Sequence, residues 1–217
     1  IVLILMRRIF IRRNFTLLKI NLQLTIHFTL ETLTQMNISN QNLEWTMLEF
    51  SHIKYGVLIA IVSILFGGSL GLSFGCCEDG IKGTLKSGAE KALSGVYGGD
   101  QAKADEVVKK SWVYMKRAHL HSQTMGVISI AFSLLVAWLS FPARAQMGIS
   151  LLSGVGSLGY GVFWMSAGFL APGMGSTGAA KESIALIAQA SGGAFFVAGV
   201  TLFGLLAYKM FGKSVTE

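Results

Sequence analysis

What most limits the fold of this chain is a set of four stretches, residues 55–75, 118–141, 147–171 and 184–208, that hold no Asp, Glu, Lys or Arg. Each reaches the ~20 mostly apolar residues that a helix needs to cross the hydrocarbon of a bilayer. Lipid offers no water to bond, so a spanning backbone must satisfy its own N–H and C=O groups, and a helix does this within one segment. The expected fold is all-α: an integral membrane bundle of about four transmembrane helices. Composition agrees, since 52% of the residues are hydrophobic and 13% charged, against about 25% charged in an ordinary soluble domain. The net charge of +7 gathers at the ends of the apolar runs. It therefore reads as juxtamembrane anchoring to the lipid bilayer, with no nucleic acid implied.

Residues 1–46 have a different character. They contain no glycine and no alanine, whereas residues 47–217 contain all 26 glycines. The expectation is a non-native or disordered upstream extension, with Met47 as the true start. Two other readings are a basic targeting segment around Arg7, Arg8, Arg12, Arg13 and Lys19, and a strand-like arm. In that arm Ile20, Leu22, Leu24, Ile26, Phe28 and Leu30 alternate with polar residues. Residues 47–217 form the membrane domain, and the multi-pass pattern points to a bacterial plasma membrane.

Between the first two spans lies the polar segment 76–117, which reads as an extramembrane helical hairpin. Ser87-Gly88-Ala89-Glu90 fits a capping box that would start a helix ending at Gly98-Gly99. Asp100 can cap a second helix, supported by the pairs Asp105–Lys109 and Glu106–Lys110. Val108, Trp112 and Met115 give that helix an apolar stripe, and no breaker separates it from span two. Pro142 with Arg144, and Pro172 with the turn 173–178, stop spans two and three. Such short connections make spans two, three and four antiparallel neighbours. The distribution of basic residues leans toward both termini lying inside.

Helices in lipid associate by close packing rather than by exclusion of water, and small residues permit that approach. Gly67, Gly71 and Gly75 recur on one face of span one, Gly154 and Gly161 lie in span three, and Ala190, Ala194 and Ala198 line span four. These are the expected helix-packing positions, and the span-one stripe could serve a homo-oligomer. Gln189 and Ser191 are expected to be buried and to bond across helices.

Chemistry is sparse. Ala118 to Gly126 places His119, His121 and Met125 at the mouth of span two. Residues two apart on a helix point about 200° apart, so the histidines cannot share one metal, while His121 and Met125 share a face. The run His119-Leu120-His121 with Gly126 resembles the His-x-His-x-x-x-x-Gly helix opening of small membrane proteins related to the catalytic subunits of haem-copper oxidases and nitric oxide reductases. The likeness covers about ten residues and departs at the polar Ser122-Gln123-Thr124. It implies haem as cofactor, with His119 or His121 as axial ligand and an electron-transfer role. Residues 173–183 imitate a phosphate loop, but two alanines separate Gly178 from Lys181, so no nucleotide is expected. Cys76 and Cys77 read as ordinary thiols at a membrane boundary. With no charge inside a span, a proton-coupled path is disfavoured. The expected function is a non-enzymatic structural or interaction subunit of a membrane complex. The alternatives are a haem-binding electron-transfer protein and a small-solute channel or carrier.

Overall fold

The structure, a computed structural model, describes residues 50–212. The readings made for residues 1–46 lie outside the described residues. The described chain runs through α1 (Lys54–Lys91), α2 (Gln101–Trp138), α3 (Ala143–Met174), the short α4 (Thr177–Ser183) and α5 (Ala185–Phe211). Four of these, α1, α2, α3 and α5, are long and apolar enough to cross a membrane. The fold is an all-helical, multi-pass membrane bundle.

α3 is its centre. It packs against α1, α2 and α5, and half of its most apolar stretch is buried, against 17% in α1 and in α5. Close pairs fix the directions. Ala60 of α1 meets Gly126 of α2 while Gly67 meets Ser122; Ser122 meets Gly161 of α3 while Met115 meets Gly168; Gly156 of α3 meets Phe195 of α5 while Gly159 meets Ser191. Successive long helices are therefore antiparallel.

The packing seam is made of small residues. α1 buries Gly56, Ala60, Ser63 and Gly67 at helical spacing. α2 buries Ala118, Ser122, Gly126, Ser129 and Ser133 on one stripe, and α3 answers with Ser150, Ser153, Gly154, Ser157 and Gly161. The backbones approach most closely at Gly56, where a Cβ would run into the Ser150 backbone, and a Cβ on Gly154 would stand 2.6 Å from the Gly56 carbonyl oxygen. The serines tie the seam together. Ser63 donates to the Ser122 carbonyl at 3.0 Å, Ser150 to the Ile53 carbonyl at 3.0 Å, and Ser133 to the Ser150 hydroxyl at 2.8 Å. Such interhelical bonds are worth about 0.6 kcal/mol each on average.

The hairpin differs from its expected form in two respects. Ser87 starts no helix, because it lies inside α1, which continues from the membrane to Lys91. The break falls earlier, at Cys77, whose φ of −139° and ψ of 24° kink the helix. Beyond the kink, Ala89 joins Ala104, Val107, Tyr97, Ala171 and Ala180 in a small core. These contacts with α2 and the ends of α3 and α4 keep the arm helical where a local capping signal suggested a new start. The arm also ends before Gly98 and Gly99, which occupy the connecting turn with φ of 61° and 83°. Asp100 caps α2 as expected, accepting from the Lys103 amide at 3.0 Å, and α2 runs unbroken to Trp138.

Two expected stops also move. Pro172 lies within α3, which ends at Gly175 in the left-handed conformation with φ of 66°. A proline this near the end removes only one helical donor, and a glycine one turn later supplies the conformation the terminus needs. Arg144 sits in the first turn of α3, with Pro142 at its N-cap. Ser176 caps α4 by accepting from the amides of Gly178 and Ala179.

Candidate functional site

The sequence-selected packing residues divide. Gly67 lies against Gln123, Ser122 and the His119 carbonyl, and Gly71 against the His119 ring. Gly75 is exposed with nothing within 4 Å. α2 of the same chain thus covers two of the three glycines once considered for a homo-oligomer. Gly154 and Gly161 lie on the seam. Ala198 is buried, Ala194 half-buried and Ala190 exposed. Gln189 is exposed, and Ser191, though buried, donates to the Ile187 carbonyl of its own helix rather than across helices. The reason is rotational: α5 turns Ser191, Ala198 and Leu202 toward the bundle, which carries Gln189 and Ala190 outward.

The two histidines face different helices. His119 Nδ1 donates to the Gly67 carbonyl at 2.7 Å, which sets the tautomer, and the ring meets Phe74 edge-on at 5.9 Å. His121 faces α3 instead. It stacks on Trp164 with ring centroids 6.0 Å apart and meets the Tyr160 edge at 5.1 Å. Met125 is half-buried one turn beyond His121. An axial haem ligand needs an open imidazole nitrogen above a slot as wide as the macrocycle. Here a Cβ on Gly71 would stand 2.6 Å from His119 Cε1, and the His121 ring lies nearly flat on an indole. Among the described residues no three His, Cys, Asp or Glu side chains converge to hold a metal ion.

Around His121 the bundle assembles a cluster that composition did not reveal. Tyr114 and Trp164 meet edge-on at 4.9 Å. The Arg117 guanidinium lies 4.8 Å from the Trp164 ring centre and 5.5 Å from that of Tyr114. Lys181, from α4, approaches Tyr114 from another side at 5.8 Å. The aromatic faces carry partial negative charge and draw cations toward them. Three separate helices contribute, so sequence spacing could not group these residues. Only the position of Arg117 and Lys181 beside apolar spans hinted at an interfacial site.

A second feature lies between the hairpin arms. Beyond the kink, Gly80 and Gly83 have nothing within 4 Å, and a groove of about 480 Å³ opens, lined by Lys82, Gly83, Lys86, Val108, Lys109 and Trp112. Lys82 lies over the Trp112 ring at 5.3 Å and pairs with Glu78. Val108 and Trp112 of the expected apolar stripe therefore face this groove, while Met115 is buried against Gly168. Cys76 and Cys77 are exposed at the kink. The Cys77 S–H donates to the neighbouring Cys76 sulfur, which favours the protonated form and holds the Cys77 thiol above its ordinary pKa, so that it is a poor nucleophile near neutrality.

Among the described residues three buried polar atoms lack a partner: Ser122 Oγ, Gln146 Oε1 and Trp164 Nε1. Each such group costs about 1–3 kcal/mol. Comparison with known proteins finds no matching family, no matching curated protein and no matching solved structure, so the reading of function rests on this geometry.

Proposed function

We propose that this chain is a non-enzymatic subunit that organises a membrane complex, offering a fixed extramembrane hairpin and open lateral helix faces to other chains. One observation carries the reading: the hairpin is fastened to the bundle rather than tethered to it. The Tyr97 hydroxyl donates to the Pro172 carbonyl at 2.7 Å, and Val96 packs onto Gly175. The second arm is continuous with its span and the first leaves its span only through the Cys77 kink, so these contacts hold the hairpin at its angle to the membrane. A docking element works best when it is ordered before binding, because less entropy is then lost on association. The seam of glycine, alanine and serine supports the same reading, since it devotes the interior of the bundle to close packing.

The test is site-specific photocrosslinking in membranes, with a crosslinker at Val113 or Lys109 on the hairpin, followed by purification in mild detergent. Discrete crosslinks to another chain are expected. A lone monomer with no crosslinked product from either position would overturn the reading. A small-solute carrier is separated from it by flux into liposomes: a subunit of this kind gives none above background.

A further inference from the structure

We propose that Arg117 and Lys181, held against Tyr114 and Trp164, form a binding site for the headgroup of an anionic glycerophospholipid. Depth is the first argument. Arg117 directly precedes the charge-free residues 118–141, and Lys181 lies three residues before 184–208. Both cations therefore stand at the edge of the hydrocarbon on the hairpin side, where lipid phosphates lie.

Charge is the second. Among the described residues the carboxylate ion pairs within 4 Å are Glu78–Lys82, Glu90–Lys86 and Glu106–Lys110. Neither Arg117 nor Lys181 is among them, and both turn to aromatic faces instead. A ring face attracts a cation but accepts none of the guanidinium's N–H bonds in the planar, forked manner of an oxyanion. Arg117 therefore keeps donors for a phosphodiester, and Lys181 brings a second positive charge from a different helix. Arg117 is exposed, so a lipid can reach it, while Tyr114 and Trp164 are buried and hold its plane. His121, stacked on the other indole contact, completes the wall. The acyl chains would descend along the outside of α2, where Leu120 and Val127 are both 58% exposed.

This site is independent of the proposed role in a complex, because it is measured on the isolated chain. The chain is purified in a neutral detergent and titrated with phosphatidylglycerol, phosphatidylcholine or inorganic phosphate, with bound molecules counted by native mass spectrometry. One phosphatidylglycerol per chain is expected, with phosphatidylcholine and free phosphate far weaker. The double variant R117Q/K181Q should weaken phosphatidylglycerol binding by about tenfold or more, the size of effect expected for losing charge-assisted hydrogen bonds. K91Q/K103Q, on the solvated hairpin, removes the same charge and should leave binding unchanged. R117K, which keeps the charge and loses the fork, should fall between and decides the matter if the double variant does not fold. The proposal is overturned if phosphatidylcholine binds equally, if free phosphate displaces the lipid, if K91Q/K103Q loses as much, or if R117K binds like the unaltered chain.

Discussion

Single atoms decide where this bundle tolerates change. Gly154 faces the Gly56 backbone, which has no flexible side chain to move aside. Gly154→Leu is therefore expected to destabilise by about 1–3 kcal/mol or more, the range for overpacking, and to lower the thermal unfolding midpoint in detergent. Gly75→Ala, with open space around it, should leave that midpoint unchanged; equal losses at both positions would refute the packing account. Tyr97 gives a pH-dependent test. Burial pushes its hydroxyl above the ordinary tyrosine pKa, so its stabilising contribution is fully present below about pH 10 and is lost as pH rises through the folded value. Tyr97→Phe should cost about 1 kcal/mol at neutral pH, from the lost bond to Pro172. It should also flatten the alkaline loss of stability, which a pH series of unfolding curves would read. At His119 and His121 the crowded rings lead to a spectroscopic expectation: the purified chain shows no Soret band, oxidised or reduced by dithionite. A haem band that vanishes when both are replaced would instead make one of them an axial ligand.

At the scale of elements, the hairpin depends on its caps and on the contacts beneath it. Asp100 satisfies one of the free amides at the start of α2. Asp100→Ala should cost about 0.5–2 kcal/mol and speed hydrogen exchange over the first turn of α2, leaving exchange in α3 unchanged. The same element shows where local reading succeeds. Asp100 was legible as a cap because a cap is chemistry between near neighbours. Ser87 misled for the complementary reason: the motif Ser-x-x-Glu is local, but the choice between starting a helix and continuing one was settled by Ala89 packing among Ala104, Val107 and Ala171. Pro172 misled similarly: it lies inside the last turns of α3, and its own carbonyl, left without a helical donor by the nearby helix end, accepts from the Tyr97 hydroxyl of another element.

The described residues form a three-helix core of α1, α2 and α3 with α5 held against α3. A Cβ on Gly156 would lie 2.7 Å from the Ser191 carbonyl oxygen and 2.8 Å from the Phe195 amide nitrogen. Gly156→Leu should therefore loosen α5 alone, raising hydrogen exchange in residues 185–211 while α1 to α3 keep their protection; uniform loss of protection would mean that the four spans form one cooperative unit. The number of spans, their helical nature and the presence of an extramembrane hairpin were determined by sequence alone. Runs of about 20 uncharged residues in lipid leave a single chain few solutions besides helices. The rotation of each helix was not so determined, because lipid is as apolar as leucine and no hydrophobic stripe marks the inner face. Only the folded bundle decided that Ser63, Ser133 and Ser150 face inward, that Gln189 and Ala190 face outward, and that His119 and His121 turn to different helices. The same holds for Arg117, Lys181, Tyr114 and Trp164, which three helices bring together from positions up to 67 residues apart. Hydropathy reports how long a segment spends in lipid, whereas a site depends on which sides of several segments meet, and that is settled by steric fit among small residues.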